Sequence, residues 1–325
     1  MRILFYGTKT YDKIWFEPMA KKYGYEIHFL EAAASLDTIK LSAGYDAVCI
    51  FVNDYLDKDM IDILVENGVK GILLRSAGFN HVDIEAAKGR IRVLRVPSYS
   101  PEAVAEYALA MLLTVNRYTH KAYTRTRDFN MSIHGLMGVD LHQKTIGIIG
   151  TGKIGQSMIR LMSGFQMEIL AYDPYPVSEL PVQYVELDEL FRRSDVISLH
   201  CPLTQETRHI INGESIAKMK DGVYLVNTSR GGLIHSESLI QGLLSGKFKG
   251  VGLDVYEEED GVFYEDCSTQ IMQDEVLARL VTFPNVLITS HMGFFTEEAM
   301  KAIASETLKN AQAVEKKQKS ENAVV

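Results

Sequence analysis

A glycine-rich segment near the middle of the chain restricts the fold more than any other feature of the sequence. The apolar run Thr145–Ile149 leads directly into the pattern G-x-G-x-x-G, formed by Gly150, Gly152 and Gly155. A stretch with helical periodicity follows, and a second apolar run ends at Asp173, 18 residues beyond the last glycine. Strand, glycine turn, helix, strand and terminal acidic residue in this order are typical of a dinucleotide-binding βαβ unit.

Each residue type in this pattern has a physical reason. Gly150 permits a tight turn, Gly152 lets the main chain approach a pyrophosphate, and Gly155 lets the helix pack close to the strand. The helix N-terminus offers free N–H groups and the positive end of its dipole to the phosphates. Asp173 is placed to accept hydrogen bonds from the adenosine ribose and would repel a 2′-phosphate, and Pro174-Tyr175-Pro176 supplies no compensating cation. The pattern predicts NAD rather than NADP as the cofactor.

Short apolar runs alternate with longer helical patterns along most of the chain. This alternation predicts the α/β class, with parallel strands buried on both faces of doubly wound sheets. The predicted strands occupy residues 3–6, 47–51, 71–74, 93–96, 145–149, 168–172, 196–199, 223–226, 251–253 and 286–289.

Two such arrays fit a chain of 325 residues. The segment Pro97–Pro101 predicts a linker between them, because its two prolines prevent a continuous helix or a central strand. A long apolar helix is predicted over residues 102–116, directly after the linker. The largely helical tail over residues 298–325 is too short to be a domain, so we expect it to pack back on the N-terminal array.

Composition and charge exclude several classes of protein. The net charge of −8 gives no basic footprint, so we expect no nucleic-acid partner. No stretch approaches the roughly 20 apolar residues of a membrane helix, and we expect neither a membrane association nor a secretory signal. Three widely spaced cysteines without a metal-like spacing predict a reducing compartment, a cytoplasmic location and no metal site.

Polar side chains follow the later predicted strands, at the edge of the sheet where ligands bind. Arg230 follows one strand, the acidic run Glu257-Glu258-Glu259 follows the next, and His291 follows the last. Reduction of a 2-oxo acid needs such a set, because a planar cation can bind the carboxylate and an imidazole can protonate the carbonyl oxygen near neutral pH. A carboxylate on the other ring nitrogen would orient the imidazole; Glu259 is our choice, but spacing alone does not separate the three glutamates.

The chain resembles the D-isomer-specific 2-hydroxyacid dehydrogenases over nearly its whole length, and most closely the branch that acts on D-lactate and pyruvate. The segments that carry the resemblance are Arg75-Ser-Ala-Gly78, Val96-Pro-Ser-Tyr99-Ser-Pro101, Gly150-Thr-Gly-Lys-Ile-Gly155, Asn227-Thr-Ser-Arg230-Gly231 and Leu253-Asp254-Val-Tyr-x-x-Glu259. The resemblance implies that Arg230, Glu259 and His291 are catalytic, which selects one of the three glutamates.

The resemblance also implies the remaining ligand contacts. It places NAD contacts at Lys153, Ile154, Asp173, Cys201, Pro202, Thr207, Thr228, Ser229 and Asp254, in addition to the three glycines, with Asp254 on the nicotinamide carboxamide. It places the substrate carboxylate against Arg230 and the N–H groups of Ala77 and Gly78, with Tyr99 nearby. Phe294 and Phe295, together with Phe51, suggest a small apolar pocket that suits a methyl group.

The family fold has a discontinuous substrate-binding domain, over residues 1–98 and 299–325, and an inserted Rossmann domain over residues 99–298. Both are doubly wound, Rossmann- or flavodoxin-like parallel sheets. The family is usually a homodimer or larger, which predicts a homodimer or homotetramer here. The resemblance places the basic segment 117–127 at the interface of such a dimer; a solvated helix face would have the same composition.

The expected activity is reversible hydride transfer between NADH and pyruvate, with D-lactate as the product. A 2-oxo acid reductase for longer chains, of the D-2-hydroxyisocaproate type, is the alternative, since one methylene changes discrimination by only about 1–3 kcal/mol. A non-catalytic, NAD-sensing protein like the C-terminal-binding corepressors is a more distant alternative.

Overall fold

The computed structural model describes residues 1–259 and 261–325. Over this part the chain forms two compact units. One comprises Met1–Ser100 together with Phe295–Val325, and the other comprises Pro101–Phe294. No helix in the described ranges is long and apolar enough to cross a membrane.

The first unit is built on a parallel sheet of five strands in the order β2-β1-β3-β4-β5, a flavodoxin-like arrangement. Its strands are β1 (Arg2–Phe5), β2 (Glu26–Phe29), β3 (Ala47–Ile50), β4 (Gly71–Leu74) and β5 (Arg92–Leu94). Its helices are α1 (Thr10–Tyr23), α2 (Lys58–Glu66), α3 (Ile84–Ala87) and the C-terminal α11 (Glu297–Glu315), with a 3₁₀ turn at Ile39–Ser42.

Helices cover both faces of this sheet. On one face the rings of Phe5 and Phe16 lie 4.8 Å apart and join β1 to α1. On the same sheet a Cβ at Gly71 would lie 2.7 Å from Val314, so this glycine lets α11 pack directly on β4. The chain end then pairs with β5 through hydrogen bonds between Val93 and the last two residues, Val324 and Val325. The tail therefore completes the first unit.

The second unit contains a parallel sheet of seven strands in the order β12-β11-β10-β9-β6-β7-β8. Its strands are β6 (Thr145–Ile149), β7 (Glu168–Tyr172), β8 (Gln183–Tyr184), β9 (Val196–Leu199), β10 (Val223–Asn227), β11 (Phe248–Leu253) and β12 (Val286–Ile288). Its helices are α4 (Pro101–Arg117), α5 (Thr119–Arg127), α6 (Lys153–Gly164), α7 (Leu187–Arg193), α8 (Gly213–Lys218), α9 (Ser236–Leu244) and α10 (Glu275–Thr282), with a 3₁₀ turn at Gly231–Leu233.

The central strands of this sheet are apolar throughout because each face has its own core. In β10, Val223 and Leu225 face a cluster that includes residues of α8 and α9, whereas Tyr224 and Val226 face a cluster that includes residues of α4 and α6. A strand with two buried faces shows no polar alternation. The predicted α/β class with doubly wound parallel sheets is confirmed.

All ten predicted strands occur, with ends that differ by at most a few residues. The prediction missed β2 and β8. Strand β2 alternates exposed and half-buried residues at an edge of the sheet, and β8 has only two residues, so neither forms an apolar run.

Candidate active site

The order of strands brings the polar segments of the second unit to one edge. Strands β6, β9, β10, β11 and β12 are consecutive neighbours in the parallel sheet, so their carboxyl ends lie side by side. The glycine-rich turn follows β6, and the segments that begin at His200, Thr228 and Asp254 follow β9, β10 and β11. His291 follows β12 closely. Ligands of open parallel sheets bind at this edge, beside the point where the strand order reverses.

The glycine-rich turn has the space that a dinucleotide needs. Gly150 has a φ of +97°, and a Cβ there would lie 2.6 Å from the main-chain nitrogen of Cys201. A Cβ at Gly155 would overlap the carbonyl oxygen of Gly150, so neither position accepts a side chain. No atom lies within 4 Å of a Cβ at Gly152, at the start of α6, where the first N–H groups of the helix have no intrahelical acceptor. This open cradle fits the pyrophosphate of NAD.

Asp173 lies at the end of β7 and is tied to the same turn. Its Oδ2 accepts hydrogen bonds from the N–H and hydroxyl of Thr151 at 2.6 and 3.0 Å, and its Oδ1 accepts from the N–H of Tyr175 at 2.9 Å. An ionised carboxylate has about four acceptor sites, so capacity remains for a ribose hydroxyl.

A buried amide shapes the turn that carries Arg230. Asn227 is fully buried; its Nδ2 donates to the carbonyl of Arg230 at 2.8 Å, and its Oδ1 accepts from the N–H of Ser229 at 3.0 Å. A Cβ at Gly231 would overlap the main chain of Tyr256, so this glycine lets the turn pack on the loop after β11. Within the described ranges the guanidinium donates only to the carbonyl of Ser229, at 2.7 Å, which leaves most of its five donors for a ligand.

His291 and Glu259 form a hydrogen-bonded pair at the end of the sheet. Nδ1 of His291 lies 2.9 Å from Oε1 of Glu259, and both side chains are mostly buried. The main chain of His291 is in the left-handed region, with a φ of +53°. Two hydrogen bonds hold it there. The N–H of His291 donates to the carbonyl of Asp254 at 2.7 Å, and the hydroxyl of Tyr264 donates to the carbonyl of His291 at 2.8 Å. Ring and main chain are therefore both fixed.

Asp254 holds the turn on which His291 lies. The side chain is buried, and it accepts hydrogen bonds from the hydroxyl of Thr289 at 2.6 Å and from the N–H groups of Met292 and Gly293 at 2.9 and 2.7 Å. Burial raises the pKa of Asp254, although these three hydrogen bonds act in the opposite direction. The family resemblance implied a contact with the nicotinamide carboxamide for Asp254, and the sequence gave no sign of this role in the turn.

The other residues with predicted NAD contacts lie at the same edge. Lys153 and Ile154 begin α6. Burial raises the pKa of the Cys201 thiol to about 12. The hydroxyl of Thr207 donates to the carbonyl of Pro202 at 2.6 Å. The hydroxyl of Thr228 is buried and has no hydrogen-bond partner among the described residues.

The predicted substrate contacts in the first unit lie after β4 and β5. The N–H groups of Ala77 and Gly78 donate to no acceptor within the described part of the chain. Tyr99 follows β5 and is partly exposed. The guanidinium of the buried Arg75 lies 5.0 Å from the ring centre of Phe51. In the second unit, Phe294 is only 8% exposed.

Sequence reasoning missed a second histidine–carboxylate pair near the first. Nε2 of His209 lies 2.5 Å from Oε1 of Glu257, whose other oxygen accepts from the N–H and hydroxyl of Ser236. Burial tends to raise the pKa of Glu257, but these hydrogen bonds outweigh it and leave the pKa below its usual range. Glu257 thus anchors the loop that carries Glu259. Its only signal in the sequence was membership of the acidic run.

Metal chemistry has no obvious ligand set here. Over residues 1–259 and 261–325, no group of three or more histidine, cysteine, aspartate or glutamate side chains is placed to hold a metal ion.

Comparison with known proteins identifies the family. The family model described as "D-isomer specific 2-hydroxyacid dehydrogenase, NAD binding domain" matches residues 109–293. The chain is 47% identical to D-lactate dehydrogenase of Escherichia coli, with both chains covered completely, and the apo-structure of that enzyme superimposes with a TM-score of 0.91. The pyruvate reductase of Chlamydomonas reinhardtii is 42% identical, with 99% of this chain and 98% of that chain covered and a TM-score of 0.93.

A more distant structure was solved with the cofactor. The NAD-complexed D-isomer-specific 2-hydroxyacid dehydrogenase of Lactobacillus delbrueckii ssp. bulgaricus is 28% identical over the full length of both chains, with a TM-score of 0.81. The glycine cradle, Asp173 and the family match agree on the cofactor. The chain belongs to the D-isomer-specific 2-hydroxyacid dehydrogenase family and is an NAD-dependent oxidoreductase.

Proposed function

We propose that this protein is a D-lactate dehydrogenase that interconverts pyruvate and D-lactate with NAD. The observation that carries the proposal is the pair of His291 and Glu259, 2.9 Å apart, which follow β12 and β11, next in the sheet to β10, the strand that precedes Arg230. The full-length similarity to the D-lactate dehydrogenase of Escherichia coli supports the choice of substrate.

In this proposal His291 is the acid and base of the reaction. Its Nδ1 is hydrogen-bonded to Glu259, so Nε2 is the atom that donates a proton to the carbonyl oxygen of pyruvate and removes it from the hydroxyl of D-lactate. Glu259 orients the imidazole and stabilises its protonated form. NADH, when bound, supplies the hydride that reduces C2 of the oxo acid.

In this proposal a cation and main-chain N–H groups bind the substrate carboxylate. We assign the bidentate contact to Arg230, which has donors to spare and whose charge also polarises the neighbouring carbonyl. In the first unit, the N–H groups of Ala77 and Gly78, which lack acceptors in the described chain, are the donors that we assign to a substrate carboxylate. Tyr99 would donate its hydroxyl, and Phe294 would contact the methyl group of pyruvate.

The cofactor would be held by the residues around the glycine cradle. Gly150, Gly152 and Gly155 would receive the pyrophosphate together with the first N–H groups of α6, and Asp173 would accept from the ribose. The carboxylate of Asp254 would accept from the nicotinamide carboxamide while it holds the His291 turn.

The location and the assembly belong to the same proposal. We propose a cytoplasmic enzyme, in keeping with the free thiols of Cys49, Cys201 and Cys267. We propose a homodimer or homotetramer, because the segment from Tyr123 to Met137 exposes apolar side chains that another subunit could cover.

The test is the oxidation of NADH in the presence of a panel of 2-oxo acids, with chiral analysis of each product. Pyruvate should give the highest kcat/KM, and the product should be D-lactate. A higher kcat/KM for 2-oxoisocaproate would assign the enzyme to the D-2-hydroxyisocaproate type. NADH binding without turnover of any 2-oxo acid would point instead to a non-catalytic NAD sensor.

A further inference from the structure

The turn after β4 presents two N–H groups while its carbonyls are all engaged. The carbonyl of Ser76 accepts from the N–H of Val96 at 3.0 Å, that of Ala77 accepts from Nη1 of Arg95 at 3.0 Å, and that of Gly78 accepts from the hydroxyl of Ser76 at 2.8 Å. The N–H groups of Ala77 and Gly78 have no acceptor among the residues that the structure describes. The hydrogen bonds to its carbonyl oxygens therefore fix the turn, and its N–H groups stay available to a ligand.

Arg95 is a cation without a counter-ion at this turn. Its guanidinium lies 5.3 Å from the ring centre of Phe79 and forms no ion pair with a carboxylate in the described ranges. Its main chain is fixed at the end of β5, because its N–H donates to the carbonyl of Asn322 at 3.0 Å and its carbonyl accepts from the buried Asn310 at 2.8 Å. A neutral donor would satisfy the carbonyl of Ala77 equally well, so the hydrogen bond alone does not require the positive charge, which also faces the ring of Phe79.

The positive charge of Arg95 also affects the peptide group whose oxygen it contacts. The carbonyl of Ala77 and the N–H of Gly78 belong to the same planar peptide group. A permanent cation on the oxygen withdraws electron density through the conjugated group and makes the N–H a stronger donor, since hydrogen bonds in series polarise one another. The charge of Arg95 therefore favours an anion at the N–H of Gly78.

We propose that Arg95 is a positioning residue for the substrate carboxylate, which acts through the peptide group between Ala77 and Gly78. This inference rests on the proposed function. Several groups of the site select a substrate with a carboxylate over a neutral ketone. Arg95 becomes one of them, although it does not contact the substrate. The carboxylate is the same in the ground state and in the transition state, so the contribution belongs mainly to KM.

The experiment measures reduction of pyruvate and of its neutral methyl ester by the holoenzyme with Arg95 intact, with Arg95→Gln and with Arg95→Lys. For Arg95→Gln, the KM for pyruvate should rise about tenfold, since the substrate carboxylate loses a nearby positive charge as well as a polarised N–H donor. Its kcat should change by less than about threefold, because the interaction is uniform along the reaction. Lysine keeps the charge without the planar fork and should restore part of the loss. The kcat/KM for methyl pyruvate should not change, because the ester has no carboxylate.

Arg92→Gln is the matched control. Arg92 begins β5, the strand that ends just before Arg95, and it also donates to main-chain carbonyls, those of Ala313 and Gln318 at 2.7 Å. Its loss should leave the KM for pyruvate unchanged. NADH binding, followed by fluorescence, and thermal unfolding show whether each variant is folded.

Three outcomes would overturn the inference. One is a KM for pyruvate in Arg95→Gln within twofold of the unmodified enzyme. Another is an equal loss for methyl pyruvate or for Arg92→Gln, which would mark the effect as structural. If the unmodified enzyme reduces no 2-oxo acid, the proposed function fails and the inference fails with it. Loss of the Arg95 effect alone, with pyruvate turnover intact, leaves the proposed function standing.

Discussion

Nδ1 of His291 lies 2.9 Å from Oε1 of Glu259. An ionised carboxylate can only accept a hydrogen bond, so the proton lies on Nδ1, and Nε2 is the ring atom left to exchange a proton with a ligand. Oε2 of the same glutamate accepts from the N–H of Tyr256 at 3.1 Å, so the carboxylate is itself held in place. The pair thus presents one tautomer in one orientation, as proton transfer to a carbonyl oxygen requires.

The first prediction concerns this orientation. Replacing Glu259 with glutamine keeps the shape but lets the amide offer either an oxygen or an NH₂ group to the ring, so the tautomer is no longer fixed. We expect kcat for pyruvate reduction at neutral pH to fall about 10²-fold, the usual scale for general acid–base catalysis, with little change in NADH affinity. Steady-state kinetics and a fluorescence titration measure the two quantities.

The neighbouring Glu258 supplies the control, because it is exposed and precedes Glu259 directly. Glu258→Gln should keep the kcat of the unmodified enzyme. A kcat for Glu259→Gln within threefold of that value would contradict the assigned role.

The second prediction concerns Arg230. The variant Arg230→Gln should lower kcat/KM for pyruvate about 10²-fold or more, because the substrate carboxylate loses its charge-assisted, bidentate hydrogen bonds and is left without a counter-charge. Arg230→Lys should recover only a small part of this loss, since an ammonium group lacks the planar fork. NADH affinity should stay close to that of the unmodified enzyme in both variants.

Arg208 is a suitable control for charge alone. It is exposed and pairs only loosely with Glu257, at 3.5 Å. Arg208→Gln removes the same charge, so an equal loss of kcat/KM in this variant would show that Arg230 acts through the general electrostatic field rather than through a direct contact.

The sequence could predict the strands and the residues that directly follow them. Strands such as Val196–Leu199 are buried on both faces, so their apolar runs are unbroken and visible. Arg230 and His291 follow the ends of β10 and β12 closely, so the rule for parallel sheets is enough to bring them to one edge. Family resemblance supplied the choice of Glu259, which lies further along a loop whose path the sequence does not encode in any simple pattern.

Contacts that depend on the path of a turn could not be predicted. The carboxylate of Asp254 accepts from the main-chain N–H groups of Met292 and Gly293, and Arg95 reaches the carbonyl of Ala77. In both cases the partners lie far apart in the sequence, and the acceptor or donor is a main-chain group that every residue possesses. Residue type therefore carries no information about such a contact, whereas burial and hydrophobicity carry much about a strand.

The third prediction concerns acid stability. Burial lowers the pKa of His200 to about 4, and its Nδ1 has no hydrogen-bond partner within the described ranges. In the unfolded chain a histidine titrates near about 6.5. Between these values the unfolded state binds a proton that the folded state does not, so the free energy of unfolding falls as the pH falls. The contribution of His200 is complete above about pH 6.5 and decreases by up to about 1.4 kcal/mol per pH unit towards pH 4.

Urea unfolding followed by far-UV circular dichroism at pH 7.5, 6.5 and 5.5, values spaced about one unit apart, measures this slope. His200→Gln should flatten the dependence on pH, whereas His134→Gln, which removes an exposed histidine, should retain it. Equal slopes in His200→Gln and the unmodified protein would contradict the prediction.

The fourth prediction concerns assembly. Five large apolar side chains in one segment of the second unit are exposed: Tyr123, Phe129, Met131, Ile133 and Met137. The two most exposed of those with a branched or aromatic side chain are Phe129 at 87% and Ile133 at 86%. Five exposed large apolar side chains within one such segment are unusual on a monomer, and burial against a second copy would remove them from water. We therefore expect the protein to sediment as a dimer or larger, and Ile133→Asp or Phe129→Asp to shift it towards the monomer by placing a charge in the contact.

Ile14 supplies the control. It lies in the first unit and is 66% exposed, and Ile14→Asp introduces the same charge outside the segment. Sedimentation velocity should show the oligomer unchanged in Ile14→Asp; an oligomer that survives in both segment variants would place the subunit contact on another surface.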